Sequence, residues 1–470
     1  EQITDNDGGL TYGASQPLPV LVSLLANASI GETPIGTIAP NFMGLSHEPN
    51  TVLTIMGDSD TGQNNVYRQL LTNLITYGSG PVNVRIGGNS ADTSGEQTAA
   101  TLKPIKQVAE SGKARFTLAV NLGADNVNLA VDQAKTFVGQ MPPGSLTAIE
   151  IGNEPDEYYR NGLRPSSYTI QDYYADFNTW ASSITPFLPS GIKLAGPSWA
   201  FLGTLSNTAA FQSQFADDLA LFSTHCYGES PQDLPTTLYF LSEKAAKSVP
   251  SQVASSVATT HANGIIFRLN ETGPVSDGGV AGVSNSFASA LWAIDTMFEF
   301  ANVGVDGVDW SANPGDLNNP FVFNVSKVNG INNFSLKSVT PIYYGFLVLE
   351  LALGDGAQML PVTLDTPANL KAWATIPNGR APRITLINKD VALTGNVGIE
   401  MPGYSKATIL RLAAPSYNSV NRVTFAGQTF DGSSTGYIQG TQVEETIEGS
   451  GGTFSVPMPV TSAAVVIFSN

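Results

Sequence analysis

Thr147-Ala148-Ile149-Glu150-Ile151-Gly152-Asn153-Glu154 is a short apolar run that closes on an amide and a carboxyl group. Runs of this kind, rich in Val, Ile, Leu and Phe, recur along the chain as far as Trp310 and alternate with longer amphipathic stretches. That alternation is the sequence sign of βαβ units around a parallel sheet. Working outward, three such strands come before it, at Asn41 to Glu48, Val82 to Ile86 and Arg115 to Gly123. Four follow, at Lys193 to Ser198, Leu219 to Tyr227, Gly264 to Glu271 and Val303 to Trp310. Eight units predict an α/β fold, a (β/α)8 TIM barrel over residues 36–354. Between the strands, Val66, Leu70, Leu71, Leu74 and Ile75 share one helix face that packs on the barrel. A helix over Ser284 to Ala301 opens on a serine suited to capping, and Pro341 to Leu353 supplies the eighth helix.

Beyond Leu353 the pattern changes to strands separated by turns: Gln358 to Leu364, Leu370 to Ile376, Arg383 to Asn388, Asn396 to Met401, Ala407 to Leu412 and Thr453 to Phe468. No helical stretch interrupts them, so residues 355–470 read as a C-terminal all-β sandwich. Glu445 to Gly452 reads as an exposed loop, and Pro19 to Leu25, within residues 1–35, as a strand that joins the sandwich. A chain of 470 residues is too long for one ordinary core, which agrees with two domains.

Composition narrows the function. Apolar residues make up 42% and charged residues 13%, with 46 Gly and 29 Pro, a globular and turn-rich balance. The net charge of -17 repels phosphate, so neither nucleic acid nor an anionic membrane is the expected partner. No apolar run reaches the ~18 to 20 residues of a membrane span. The lone Cys226 excludes an intramolecular disulfide and reads as a buried bystander. A start at Glu1 fits a secreted chain freed of its signal peptide, and sequons at Asn27, Asn324 and Asn333 would then be open to glycosylation. The triplet at Asn270 falls in a barrel strand and reads as accidental.

Catalytic groups of such barrels stand at the C-terminal ends of the strands. Glu48, Asn89, Asn121, Glu154, Ser198, Tyr227 and Glu271 fall at or just past these ends. The three histidines, His47, His225 and His261, show no zinc spacing, and the first and second of them read as structural. No nucleophile elbow, Walker loop or dinucleotide fingerprint is present, so no metal and no cofactor is expected. The glycine pair in Ile86-Gly87-Gly88-Asn89 reads as a turn bringing backbone close to a ligand. What remains is a carboxyl pair, Glu154 after the fourth strand and Glu271 after the seventh. One strand-end glutamate alone is ordinarily solvated or salt-bridged. Two on opposite sides of a barrel mouth can face each other at the ~5 to 5.5 Å of a retaining glycosidase, one giving a proton and one attacking. Glu154 is read as acid/base and Glu271 as nucleophile, with Asn153 placed for a sugar 2-hydroxyl and Tyr227 placed to keep Glu271 ionised.

The string from Ile149 to Asp156 (IEIGNEPD), continued by Tyr159 to Ser166 (YRNGLRPS), resembles glycoside hydrolase family 79. The likeness runs on through Gly44 to Glu48, Arg85 to Asn89, Asn121 to Gly123, Ala195 to Pro197, Ser223 to Tyr227, Phe267 to Thr272 and Gly278-Gly279. The resemblance implies a barrel with a sandwich, a retaining mechanism, Glu154 as acid/base and Glu271 as nucleophile. It also implies Tyr227, Asn153, Glu48 and Asn89 as pocket residues, and a β-glucuronide as the default carbohydrate substrate. Two departures bear on that substrate. The loop Thr272-Gly273-Pro274-Val275-Ser276-Asp277 lacks the tyrosine that holds a glucuronate carboxylate in similar glucuronidases, and brings in Ser276 and Asp277. Pointing inward, Asp277 would repel a uronate and accept bonds from neutral hydroxyls; pointing out, it means little. After the eighth strand, Asp309 to Pro314 (DWSANP) replaces a His-Gly stretch and a pocket tyrosine, and Trp310 either stacks on a sugar or plugs the barrel. A neutral-sugar β-glycosidase and a catalytically silent sugar-binding protein are the alternatives.

Overall fold

The computed structural model describes residues 23–78, 80–93 and 98–470. Eight parallel strands close into a barrel in chain order: Met43–His47, Val82–Ile86, Ala114–Val120, Leu146–Ile151, Lys193–Trp199, Leu219–Glu229, Ile266–Val275 and Gly307–Ser311. The last pairs back onto the first, Val308 opposite Met43 and Ser311 opposite Ser46. All eight expected strands are present, with ends displaced by a few residues.

The barrel interior is not wholly apolar. Near its base Arg268 and Asp309 pair at 2.6 Å, and Asn83 donates to the same carboxylate at 2.9 Å. Both ions are buried, so the pair needs room and complete bonding. Gly44 provides the room: a Cβ there would lie 2.0 Å from Asp309 Oδ1. One layer up, Arg85 pairs with Glu150 at 2.7 Å, both with side chains at 0% exposure.

The sandwich is built from two sheets. The smaller has the order Val362–Asp365, Ser23–Ile30, Thr394–Glu400, Thr453–Met458. The larger runs Thr424–Phe425, Lys406–Ala413, Ser462–Ser469, Arg383–Asn388, Leu370–Pro377, Ala357–Leu360, Gly36–Ile38, with Glu445–Glu448 added beside Lys406–Ala413. Strand alternation sorts its residues: Ala464 and Val466 pack with Val397, Val456 and Phe454 between the sheets, whereas Ala463 and Val465 join the barrel's core. Between barrel and sandwich lie the helices Phe287–Asn302 and Pro341–Leu353, apolar around nearly their whole circumference because both sides are covered. Among the charges in this seam, Lys389 contacts Asp295 at 2.6 Å with both side chains buried, and Lys371 bridges Glu243 and Glu299.

Several expectations need correction. Of the strand expected at Pro19 to Leu25, residues 19–22 lie outside the described residues; the strand occupies Ser23–Ile30, parallel to Thr394–Glu400. Gly36–Ile38, expected with the barrel, pairs with Ala357–Leu360 at the edge of the larger sheet. Thr453 to Phe468 is two strands, broken at 459–461, and the loop expected at Glu445 to Gly452 begins as an edge strand. The long helix is capped by Ser286, not Ser284, whose hydroxyl instead accepts from the Val280 N–H. An unanticipated hairpin, Phe321–Val328 with Ile331–Val339, links the eighth strand to the eighth helix.

Candidate active site

The site begins with Arg85. Its guanidinium is buried and engaged in every direction: Nε donates to Glu150 at 2.8 Å, Nη2 to Asn153 Oδ1 at 2.8 Å, and Nη1 to Ser46 at 3.2 Å and Glu271 Oε2 at 2.9 Å. It is therefore the floor on which the fourth and seventh strand ends are registered. Asn270, beside Glu271, donates to Glu150 and to Ser198 Oγ and closes the same network from the other side.

Glu154 sits where the fourth strand turns, in left-handed backbone at φ 51°, an unusual conformation for a glutamate. Its N–H donates to Ser198 O at 3.0 Å, tying it to the fifth strand. Beneath the turn, buried Asp92 accepts the N–H groups of Leu122, Gly123 and Asn153 and the Tyr158 hydroxyl, which locks the ends of the third and fourth strands together. Asp156 accepts the N–H groups of Ala200 and Phe201 and binds the fifth-strand loop to the same turn. The strain is held by bonds on every side, and the carboxyl is directed to the barrel mouth.

Three neighbours act on the glutamate pair. His225 Nδ1 lies 2.7 Å from Glu154 Oε1. Burial disfavours an imidazolium there, but Glu271 and the bond to Glu154 outweigh it and raise the His225 pKa. The Tyr227 hydroxyl donates to Glu271 Oε1 at 2.7 Å, while Arg85 holds Oε2. Burial opposes ionisation of Glu271, yet His225, Arg85 and Tyr227 together hold its carboxyl below the ordinary value of 4.5. A group with a lowered pKa stays charged until the pH falls through that lowered value, so the acid limb of kcat/KM is expected below pH 4.5. Tyr227→Phe removes one donor to the charged form and should move that limb upward by roughly one to two units, as expected for a hydrogen bond to a charged group. A pH–rate profile of the two proteins with the limb unmoved would remove Tyr227 from this role.

The pair lies in a cavity of about 800 Å³ at the C-terminal mouth of the barrel. Glu48 lines it, anchored by the N–H of Asn89 at 2.9 Å and of Ser90 at 2.8 Å, with the Ser90 hydroxyl also bound. Gly88, at φ 118°, permits this: a Cβ there would lie 2.4 Å from the Glu48 carboxylate. Asn89 also lines the cavity and accepts from Asn153 Nδ2 at 3.0 Å. Ser276 and exposed Asp277 stand at the rim.

Trp310 does not reach the cavity. Its indole is fully buried, donates to Asn318 O at 2.8 Å and packs edge-on against Trp292 and Phe346, so it plugs the barrel wall. His47 is structural, held between Ala312 O and the Tyr67 hydroxyl, with its pKa pushed down to about 4 by burial. His225 is not merely structural, since it touches Glu154.

Sequence reasoning also gave no role to Arg85, Glu150, Asn313 or Asp316. Asn313 accepts the Glu48 N–H at 2.8 Å and Asp316 lines the cavity beside Gly278. The available signal was a charge inside an otherwise apolar strand, as in Val82 to Ile86 and Leu146 to Ile151.

Chemically, the arrangement sets two carboxyls against each other with an imidazole between. One ligand atom from each of Glu154, His225 and Glu271 lies within 4.8 Å of the others. The trio is close enough to hold a metal ion, but its carboxylates are already hydrogen-bonded by His225, Tyr227 and Arg85, which suits proton transfer and nucleophilic attack.

Comparison with known proteins gives concordant results. Residues 372–465 match the glycosyl hydrolase family 79 C-terminal beta domain. A β-glucuronidase of Aspergillus niger is 24% identical over 467 residues, covering 85% of each chain. A 4-O-α-L-rhamnosyl-β-D-glucuronidase from Fusarium oxysporum 12S superposes with a TM-score of 0.73 at 21% identity, over 94% of this chain and 100% of that one. A family 51 arabinofuranosidase from Xanthomonas axonopodis pv. citri gives 0.72 at 15% identity, over 95% and 100%. These two likenesses speak for the fold of barrel and sandwich. With the C-terminal beta domain of glycoside hydrolase family 79 matched in the sandwich, and a β-glucuronidase likeness running through most of the chain, the protein resembles members of that family along most of its length.

Proposed function

We propose that the chain is a retaining exo-β-glycosidase working by double displacement, with Glu271 as nucleophile and Glu154 as acid/base. The observation that carries this reading is the approach of the two carboxyls, with oxygens within 4.8 Å of each other. Retaining enzymes need ~5 to 5.5 Å between the groups, while inverting enzymes leave ~6.5 to 9.5 Å for a water. Glu271, held ionised, attacks the anomeric carbon as Glu154 passes its proton to the departing glycosidic oxygen. A glycosyl ester on Glu271 results. Water then enters, Glu154 takes a proton from it, and the ester is cleaved to the free sugar with two inversions and net retention. Asn153, fixed by Arg85 and Asn89, is the residue we assign to the sugar 2-hydroxyl.

A cavity of this volume, walled by the loops after several strands, suits a terminal sugar with its leaving group, and hence exo action. The relatives' names make β-glucuronides the first class to offer it. Exposed Asn27, Asn324 and Asn333 are accessible to glycosylation in a secreted chain, and no helix among the described residues is long and apolar enough to cross a membrane. The test is proton NMR of the first product released from a nitrophenyl β-glycoside. The β-anomer should appear first and mutarotate; first appearance of the α-anomer would make the enzyme inverting and overturn the nucleophile role.

A further inference from the structure

Tyr159 and Phe201 are two of the four strongly exposed aromatic rings among the described residues, at 42% and 36% exposure. Single exposed rings are ordinary, but these two share one neighbour. The Arg160 guanidinium lies over both, 4.5 Å from the centre of the Phe201 ring and 5.4 Å from that of Tyr159. It is held there by Glu157, which accepts from Nη1 at 3.0 Å, and by the Tyr159 hydroxyl, which accepts from Nε at 2.6 Å. The three side chains form a surface ridge whose shape is fixed before any ligand arrives.

The ridge joins two hollows. Phe201 lines the catalytic cavity together with Glu157, Asn161 and Leu202. Tyr159 lines a second pocket of about 240 Å³, whose walls include Pro155, Asp156, Thr204 and Asn207. Pro155–Glu157 is the turn that directly follows Glu154, and Asp156 accepts the Phe201 N–H and the Thr204 hydroxyl. The ridge is therefore tied to the turn of Glu154 and stands on that side of the cavity, whereas Ser276 and Asp277 follow the strand of Glu271. With the anomeric carbon at Glu271 and the glycosidic oxygen at Glu154, the Glu154 side receives the leaving group.

Ring faces and polar groups alternate along this path. A sugar ring has an apolar face of C–H groups and a rim of hydroxyls, and so matches both. An aryl or alkyl leaving group would cover the rings but strip water from Asn161, Arg160 and Asn207 and return no hydrogen bonds. We propose that Phe201, Arg160 and Tyr159 form leaving-group subsites running from the catalytic cavity into the second pocket, and that they take a saccharide of two or more residues. The substrate is then a terminal sugar on a glycan chain. This rests on the reading of Glu154 as acid/base and Glu271 as nucleophile.

The test uses the glycosyl ester as a plug. Once the terminal sugar is bound to Glu271, an added acceptor reaches it only from the leaving-group side. There an acceptor hydroxyl attacks the anomeric carbon in place of water, its proton passes to Glu154, and the ester bond breaks to free the Glu271 carboxylate. The full chain is given whichever nitrophenyl β-glycoside it turns over fastest among glucuronide, glucoside, galactoside and xyloside. Cellotriose, xylotriose, galactotriose and mannotriose serve as acceptors, each against its own monosaccharide at equal concentration. The best trisaccharide should give a ratio of transfer to hydrolysis about tenfold above that of its monosaccharide. Phe201→Ala and Tyr159→Ala should each cut that advantage by about threefold or more, whereas Tyr437→Ala, at an exposed ring outside both pockets, leaves it in place. An advantage below about threefold for all four, one that survives both substitutions, or 2-naphthylmethanol outdoing every trisaccharide overturns the proposal and leaves the catalytic pair standing. If no glycoside is turned over, the catalytic reading fails, and calorimetry with the same sugars still decides whether the ridge takes a saccharide. Tighter binding of a trisaccharide than of its monosaccharide, lost in Phe201→Ala, supports the subsites; equal or no binding overturns them.

Discussion

Glu271→Ala is expected to lower kcat/KM on every activated glycoside by about 10⁵-fold or more, the scale on which loss of a covalent nucleophile registers. The loss should be confined to chemistry. Arg85 keeps Glu150, Asn153 and Ser46 after the substitution, and the cavity admits water to the freed Tyr227 hydroxyl. The thermal midpoint should therefore move by only a few degrees, since one side chain with 18% exposure is lost without a void sealed from solvent. Formate or azide fills the vacated space and restores part of the turnover, the azide product carrying the anomeric configuration opposite to the substrate's. Activity within about a hundredfold of the parent, with no inverted azide product, would assign the nucleophile elsewhere.

The barrel was legible in the sequence because parallel strands covered on both faces must be continuous apolar runs, and here most of the runs are separated by amphipathic helices. The ends of those runs also exposed Glu154 and Glu271, since a carboxyl closing an apolar strand is conspicuous. The Phe321–Val339 hairpin escaped for the opposite reason: its strands are largely exposed and carry little periodic signal. The short strand Glu445–Glu448 escaped because an edge strand with alternating half-buried and exposed residues resembles a polar loop. What the sequence hid most completely was the floor of the site. Arg85 meets Glu150 across 65 residues and Glu271 across 186, and no local pattern links positions so far apart. Trp310 shows the reverse limit: its place at the end of the eighth strand allowed a sugar platform, and only the packing of Trp292 and Phe346 around it makes it part of the wall. His225 likewise lies inside a strand, and its bond to Glu154 depends on a register shift between Thr224 and His225 against the seventh strand. Fold was thus written in periodicity, while the tuning of the site was written in pairings between strands.

Glu154→Ala should separate the two halves of the reaction. Without a proton donor, cleavage depends on how well the leaving group departs unaided, so a plain alkyl or phenyl glycoside should lose about 10³- to 10⁴-fold in kcat/KM, near the upper range of general acid catalysis. A dinitrophenyl glycoside needs no proton on its leaving oxygen, and its kcat/KM should fall by less than about tenfold. Its kcat should nevertheless drop, because hydrolysis of the glycosyl ester still lacks the base that activates water, and the intermediate should accumulate as a burst of released nitrophenol. Added azide should then raise kcat by attacking the ester without base assistance, giving a product that retains the substrate's configuration. The same variant removes the partner of His225 Nδ1, so His225 loses both the hydrogen bond and the charge of Glu154 that raise its pKa and keeps the influence of Glu271. Equal losses for good and poor leaving groups would count against Glu154 as the acid, because a residue that merely positions the sugar cannot distinguish them. The configuration of the two azide products, inverted from Glu271→Ala and retained from Glu154→Ala, assigns the two carboxyls independently of any rate.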